Sequence, residues 1–411
     1  MTFSGLLGAD VREVKVSLKQ RTIQKGNNRV FFPSEGEAPA EEALEVLLGQ
    51  ERMLKDYLGI PAGRCAVAIT QKVPEDARYV IDSAPGGWWV WVLKLNDITE
   101  LSHADEIDSL YHTVMHERTE HVLTGSLARG KGLYEFNRRT RWIADGLADL
   151  LGYRFARGHS PVAALHFLAG RREAVKEAAD DWHWRSYRLW DFLAVQGGLS
   201  EVKKQVSLMK RYARLLAGSY AMSFYYWASL ERDKGPEVIK TIVAELRRSG
   251  RPTDENVQAI VRKLAGQKYV DRIDSLPAAE ALSFFEAEIR ALIPEVRAEL
   301  KSPNRSVRMA CYETLSRIEG GVFAVDLSGV PTTVIVRDAM PGSPAHEGGL
   351  RRADIVESLD GKAIESFDAF IASCEGLGQQ SMTLQVRRNG TKQVPLSVRS
   401  LAGCKLDRIA K

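Results

Sequence analysis

The sequence predicts a soluble α+β protein of more than one domain, and three observations carry that prediction. At 411 residues the chain exceeds what one hydrophobic core ordinarily serves. Its first third mixes short apolar runs with helical periodicity, and residues 161–300 are helical in pattern almost throughout. From about residue 322 the pattern changes to short alternating strands divided by turn residues, which marks a separate β-rich domain.

The elements follow in order. "VKVSL" and "RVFF" within residues 12–32 alternate and read as strands. Residues 37–58 carry helical spacing through Ala43, Leu44, Leu47, Leu48 and Leu54. "CAVAITQ" (65–71) is a short buried strand. "GGWWVWVLKLND" (86–97) is apolar on both faces, and the two glycines before it make it a candidate edge strand for an extended peptide. Residues 105–125 and 138–157 are helical, as is most of 161–300, with breaks at Gly197–Gly198, Gly235–Pro236 and Gly250–Pro252. A helix at about 303–318 ends at Gly320–Gly321. Strands "VFAVDL", "TTVIVRDA", "IVESLDG", "MTLQVRRNG" and "VPLSV" follow, with one short helix near 366–374. The boundaries are thus an N-terminal strand segment 1–27, a mixed half 28–160, a helical half 161–302, a connecting helix 303–320 and the β-rich domain 321–400.

Bulk properties exclude several classes. Hydrophobic residues are 45% and charged residues 27%, an ordinary globular balance. A net charge of +4, with no basic cluster interleaved with aromatics, argues against nucleic acid. Arg171–Arg172 and Arg247–Arg248 read as solvated helix faces. Cys65, Cys311, Cys374 and Cys404 form neither a zinc knuckle nor a disulfide framework. No window approaches the roughly 18 apolar residues that span a bilayer. The N-terminus lacks a signal peptide's apolar run, so the expected compartment is the cytoplasm, or the periplasm if a signal peptide has been trimmed.

The chemistry concentrates in "HTVMHERTEHVL" (112–123). A zinc hydrolase needs three protein ligands, an open position for water and a general base. H-E-x-x-H supplies two imidazoles one turn apart, with the base beside the first. Here His116 and His121 stand five apart, with Glu117 as the base. At about 100° per residue they diverge by about 140° on a regular helix, and sharing one ion requires a π-bulge between them. A rival triad of His112, His116 and Glu120, spaced by four, shares one face undistorted. In "RWIADGLADLLG", Asp145 and Asp149 stand four apart on an otherwise apolar face and need partners. A metal and a histidine would supply them, with Asp145 as third ligand and Asp149 as acceptor from a ligand imidazole.

"VMHERTEHVL" followed by "WIADGLADLL" resembles the gluzincin metallopeptidases over roughly residues 28–265. In that family an H-E-x-x-H helix precedes a W-x-x-E-G-x-A helix. The resemblance implies a zincin-like fold, a small mixed sheet with active-site helices and then a helical half. It implies a Zn²⁺ cofactor on His116, His121 and Asp145, with Glu117 as base and Asp149 as an outer carboxylate. The extra residue, H-E-x-x-x-H, is similar to the dipeptidyl-peptidase III family, and aspartate as a zinc ligand is similar to the aspzincins. "GSYAMSFYYWASLERDKG" is similar to the family's helix after the site, which implies Tyr220, with Tyr225 second, as the oxyanion's proton donor.

"AMPGSPAHEGGLRRADIVESLDGKAI" (339–364) resembles the PDZ signature of bacterial proteases through Ser343, Pro344, Ala345, Gly349, Leu350, Asp354, Ile355, Asp360 and Gly361, with Ala353 in place of the usual Gly. Gly349 and Asp360–Gly361 fall where positive φ is needed. The resemblance implies a peptide ligand added as a strand, its carboxylate near Gly321, Val322 and Phe323, and Phe370 on the groove helix. The order of the two domains is similar to the glycyl-aminopeptidase-type family. It implies a zinc peptidase acting on peptide or protein substrates. An inactive pseudopeptidase that binds peptides and a zinc hydrolase of non-peptide amides stay open as alternatives.

Overall fold

The computed structural model describes residues 21–70, 81–84, 88–95, 101, 104–127, 141–179, 187–189, 206–250, 253–302, 305–319, 332–339, 344–351, 354–364, 370, 373, 381–388, 392–398 and 404–410. Its secondary structure is mixed and mostly helical. The chain divides into two compact units, Met1–Lys94 with Asp105–Glu295, and Leu95–Ala104 with Val296–Lys411. The strand expected at "VKVSL" lies outside the described residues.

The first unit begins with a mixed sheet. Strands β1 (Arg21–Lys25) and β2 (Asn28–Phe32) form an antiparallel hairpin around Gly26, whose φ of 59° favours glycine. Helix α1 (Glu37–Leu58) crosses to β3 (Cys65–Thr70), which pairs parallel with β2. Strand β3 also pairs parallel with β5 (Trp88–Lys94), and β4 (Ile81–Ala84) closes the sheet antiparallel to β5, giving the order β1-β2-β3-β5-β4. The edge expected at 86–97 is therefore at β4. Val90, Trp91, Val92 and Leu93 of β5 are buried, as an interior strand covered on both faces requires.

Helix α2 joins Ala104–Asp108, a π-helical segment Ser109–Thr113 and Val114–Leu127. The Val114 N–H bonds to the Ser109 carbonyl, five residues back. Buried Arg118 ties α2 to α1, donating to the Leu47 carbonyl at 2.8 Å, and Gln50 of α1 donates to the Leu110 carbonyl at 3.2 Å. Helices α3 (Arg141–His159), α4 (Pro161–Ala179) and α5 (Val206–Lys234) pack against one another, and α3 and α4 also pack against α2 or its π segment. Two glycines of α3 permit close approach. A Cβ at Gly146 would meet Trp227 Cδ1 at 2.7 Å and the Ser223 backbone at 2.9 Å, and one at Gly152 would meet His112 Cδ2 at 2.6 Å. Helices α6 (Pro236–Ser249), α7 (Asp254–Ala265), α8 (Gln267–Asp274) and α9 (Ala278–Glu299) complete the run, with positive-φ glycines at the breaks Gly235, Gly250 and Gly266.

The second unit holds α10 (Arg305–Glu319), β6 (Thr332–Ala339), the short α11 (Pro344–Glu347), β7 (Ile355–Leu359), β8 (Lys362–Ala363), β9 (Met382–Arg388), β10 (Lys392–Val398) and β11 (Cys404–Ala410). The sheet order is β10-β9-β7-β6-β11, with β8 on β7. Strand β11 was not anticipated from the sequence pattern, which placed the last strand at "VPLSV". Gly349, Asp360 and Gly361 have φ of 95°, 48° and 78°. The turn at Asp360 is fastened by its carboxylate, which accepts the Thr383 N–H at 2.7 Å. Phe370 is 2% exposed and packs in the core with Val336, Leu384 and Val386, where the sequence had suggested a groove wall. Gly321, Val322 and Phe323 lie outside the described residues. No described helix is long and apolar enough to cross a membrane.

Candidate metal centre

The amphipathic logic of α2 and α3 decides what meets what. Helices α2 and α3 pack on each other, and the polar residues His112, His116, Asp145 and Asp149 are buried with the apolar ones around them. A carboxylate carried into such a core must be paired or neutral. Asp149, fully buried, lies 2.7 Å from His116 Nδ1 and accepts from Arg171 at 2.7 Å. Burial raises the Asp149 carboxyl, but Arg171, His116 and His112 together hold it well below its ordinary range. An ionised carboxylate only accepts, so His116 carries its proton on Nδ1 and its Nε2 faces the other way.

On that other side, His116 Nε2 is 3.8 Å from Glu120 Oε2, and His116, Glu120 and Asp145 each offer a ligand atom within 4.8 Å of the others. A second group, His112, His116 and Asp149, meets the same criterion, with His112 Nε2 3.6 Å from Asp149 Oδ1. His112 also stacks on Phe167, ring centroids 4.1 Å apart, in the space Gly152 leaves.

Arg141 stands among these groups. Its Nε donates to Asp145 Oδ2 at 2.6 Å, and one of its terminal nitrogens donates to Glu120 Oε1 at 2.9 Å and to the Tyr220 hydroxyl at 3.4 Å. Asp145 Oδ1 is buried and receives no hydrogen bond among the described residues. Burial and the Glu120 charge raise the Asp145 carboxyl against the lowering by Arg141 and His116. Glu117 is raised too, by burial first and then by Glu120. Burial opposes protonation of the His116 ring, but Asp149, Glu117 and Glu120 prevail and lift it to about 9. The Tyr220 ring centroid is 6.0 Å from that of His116, with the Arg171 guanidinium 5.5 Å from its face.

Of the residues anticipated from sequence, the structure thus brings His116, Glu117, Asp145, Asp149 and Tyr220 into one neighbourhood. His121 is exposed and belongs to neither ligand group. The π-turn expected between His116 and His121 is absent. Val114–Leu127 is regular α-helix, and the π segment lies upstream at Ser109–Thr113. The 140° divergence of residues five apart therefore stands. The rival triad is split, with His112 rotated toward Asp149 and Glu120 toward Asp145. Tyr225 lies elsewhere, hydrogen-bonded to Glu280 at 3.1 Å.

Two residues had escaped notice. Arg141 was legible only as a four-residue spacing to Asp145 on a helix. Arg171, first read as a solvated face, is paired with buried Asp149. His166 has an acidic partner from another helix, Asp105 at 3.1 Å, which sequence spacing does not reveal.

The residues fit a divalent metal. The donor set is one imidazole nitrogen and two carboxylates, the imidazole is oriented by an outer carboxylate, and Asp145 Oδ1 is a buried acceptor without a donor.

Comparison with known proteins adds the following. No curated protein matches the chain. Among solved structures it is similar to an aminopeptidase N family protein from Idiomarina loihiensis, at 9% identity and a TM-score of 0.44, over 95% of this chain and 69% of that one. That likeness is too distant to carry an inference about chemistry. Residues 335–388 match the PDZ domain family, and the chain carries a PDZ domain there.

Proposed function

We propose that the first unit is a zinc-dependent peptidase centre and that the PDZ domain receives a peptide end of the substrate or a partner. The observation that carries the reading is the orientation of His116. Asp149 holds Nδ1 at 2.7 Å, which leaves Nε2 beside Glu120 and Asp145. We assign His116, Glu120 and Asp145 as the holding residues. The set with His121 would require distorting the helix between the two histidines.

A zinc ion bound there supplies Lewis acidity and lowers the pKa of a water molecule. The rest belongs to the chain. Glu117, one residue from His116 and raised in pKa, accepts a proton from the attacking water and passes it to the leaving amine. The Tyr220 hydroxyl, kept protonated by burial and the Asp145 charge, donates to the developing oxyanion. Arg171 and Asp149 keep the imidazole in its tautomer.

One observation favours a second reading, a peptide-binding pseudopeptidase: the Arg141 guanidinium bridges Asp145 and Glu120 and already neutralises them in part. Metal analysis of the purified full chain, with peptide turnover measured alongside, separates the readings. Stoichiometric zinc, lost in His116→Ala and Asp145→Asn and accompanied by peptide cleavage, supports the enzyme. Absence of zinc uptake at micromolar free metal supports the pseudopeptidase. Zinc with hydrolysis of simple amides but not peptides favours a hydrolase of another substrate class.

A further inference from the structure

We propose that Arg141 is a built-in competitor for the metal, an internal cation that holds Asp145 and Glu120 when the ion is away and gives them up when it arrives. The inference rests on the metal-centre reading above. It adds that the centre is an exchangeable site whose affinity is set by a residue that ligates nothing.

Three observations carry it. Arg141 has only 4% of its side chain exposed, so its charge is little screened by solvent or salt. It donates to both carboxylates of the ligand group, at 2.6 Å to Asp145 and 2.9 Å to Glu120. And the pairing is incomplete, since Asp145 Oδ1 is buried without a donor while Oδ2 is taken. One monocation therefore serves two carboxylates that a dication would serve better.

Two effects of removing Arg141 oppose each other. As a hydrogen-bond partner it orients both carboxylates, and losing such an outer partner weakens metal binding roughly 10–100-fold. As a charge it repels a dication that shares its acceptors, and in a dry site at contact distances a full charge outweighs an orienting hydrogen bond. The second effect wins here because both carboxylates sit on helices α2 and α3 that are already fixed, by Arg118 and by the close α3–α5 packing at Gly146. Their positions do not depend on Arg141 alone. On release, the guanidinium keeps the Tyr220 hydroxyl, 3.4 Å away, as a partner and stays at the rim of the centre.

The test uses the full chain stripped of metal and titrated with zinc ion alone against a chromophoric chelator, in parallel with thermal unfolding. Arg141→Met removes charge and hydrogen bonds, Arg141→Gln removes charge but keeps donors, and Arg141→Lys keeps charge with a different geometry. The expected result is zinc affinity at least about tenfold tighter than wild type in Arg141→Met and Arg141→Gln, and near wild type in Arg141→Lys. Without zinc, both neutral variants melt below wild type, and zinc recovers more of their stability than of the wild type's. Equal or weaker zinc binding by a folded neutral variant overturns the proposal and makes Arg141 a positioning residue. If Arg141→Met does not fold, Arg141→Gln decides. Zinc binding that is absent from wild type and neutral variants alike, or is unaffected by Asp145→Asn, overturns the metal centre itself, and so fails in a different way.

Discussion

Two buried aspartates, one in each unit, show opposite uses of a carboxylate taken out of water. Asp354 of the PDZ domain is 1% exposed and both its oxygens are occupied. Arg388 Nε donates to Oδ1 at 2.7 Å, Arg388 Nη2 donates to Oδ2 at 2.6 Å, and the Arg351 N–H adds 2.8 Å to Oδ2. Asp145 is fully buried, yet Arg141 reaches one of its oxygens and the other has no donor among the described residues. A fully paired buried carboxylate fastens structure, here the start of β7 to the end of β9. A half-paired one costs stability and persists where something else is meant to complete it.

The predictions test that contrast, taken from the largest effect down. Glu117→Gln removes the proposed proton acceptor and leaves both proposed ligand carboxylates in place. Peptide turnover should fall about 10²–10⁴-fold with zinc content unchanged, read by activity and metal analysis on one preparation. Asp354→Asn should lower the stability of the second unit by about 3 kcal/mol in urea unfolding, because it leaves Arg388 facing a neutral amide, and should leave zinc content alone. Asp145→Asn should do the reverse, abolishing zinc uptake at a smaller stability cost because Arg141 keeps Glu120. If both aspartates behave alike, the distinction between fastening and waiting carboxylates is wrong. Asp149→Asn removes an outer partner of His116 and should weaken zinc about 10–100-fold, seen by chelator competition. His121→Ala is the smallest change. Its side chain is exposed on the far side of a regular helix, so zinc affinity should not move and stability should shift by less than about 0.5 kcal/mol.

Much of this architecture was legible because its signals are local. The helix of 37–58 was visible in the spacing of Ala43, Leu47 and Leu54, all of which are buried. The positive-φ positions Gly349, Asp360 and Gly361 were visible in the turn chemistry of the PDZ signature. Asp145 and Asp149, four apart among apolar neighbours, were visible as two carboxylates sharing a buried face. The misreadings have one cause, which is that they concern phase and partnership. A π segment of five residues at Ser109–Thr113 leaves no mark in the sequence, and its location decides which face His112 and His121 take. The run "WWVWV" revealed burial on both faces but not that β4 would cover it from outside. Arg171 looked like surface because arginine usually is, and only α4 crossing Asp149 makes it an internal cation.

The sequence by itself therefore determined the two-part α+β plan, the PDZ domain and the two helices that carry the candidate metal centre, since periodicity, turn residues and composition act over a few positions. The tertiary structure alone decided that His116 faces Glu120 and Asp145 rather than sharing an ion with His121. It also decided that Arg141 stands between the carboxylates and that Asp145 keeps one buried oxygen unserved. The i,i+4 pairs His116–Glu120 and Arg141–Asp145 each lie on one helix and follow from spacing, whereas the approach of His116 to Asp145 and of Arg141 to Glu120 joins different helices, set by helix phase and close packing at Gly146 and Gly152.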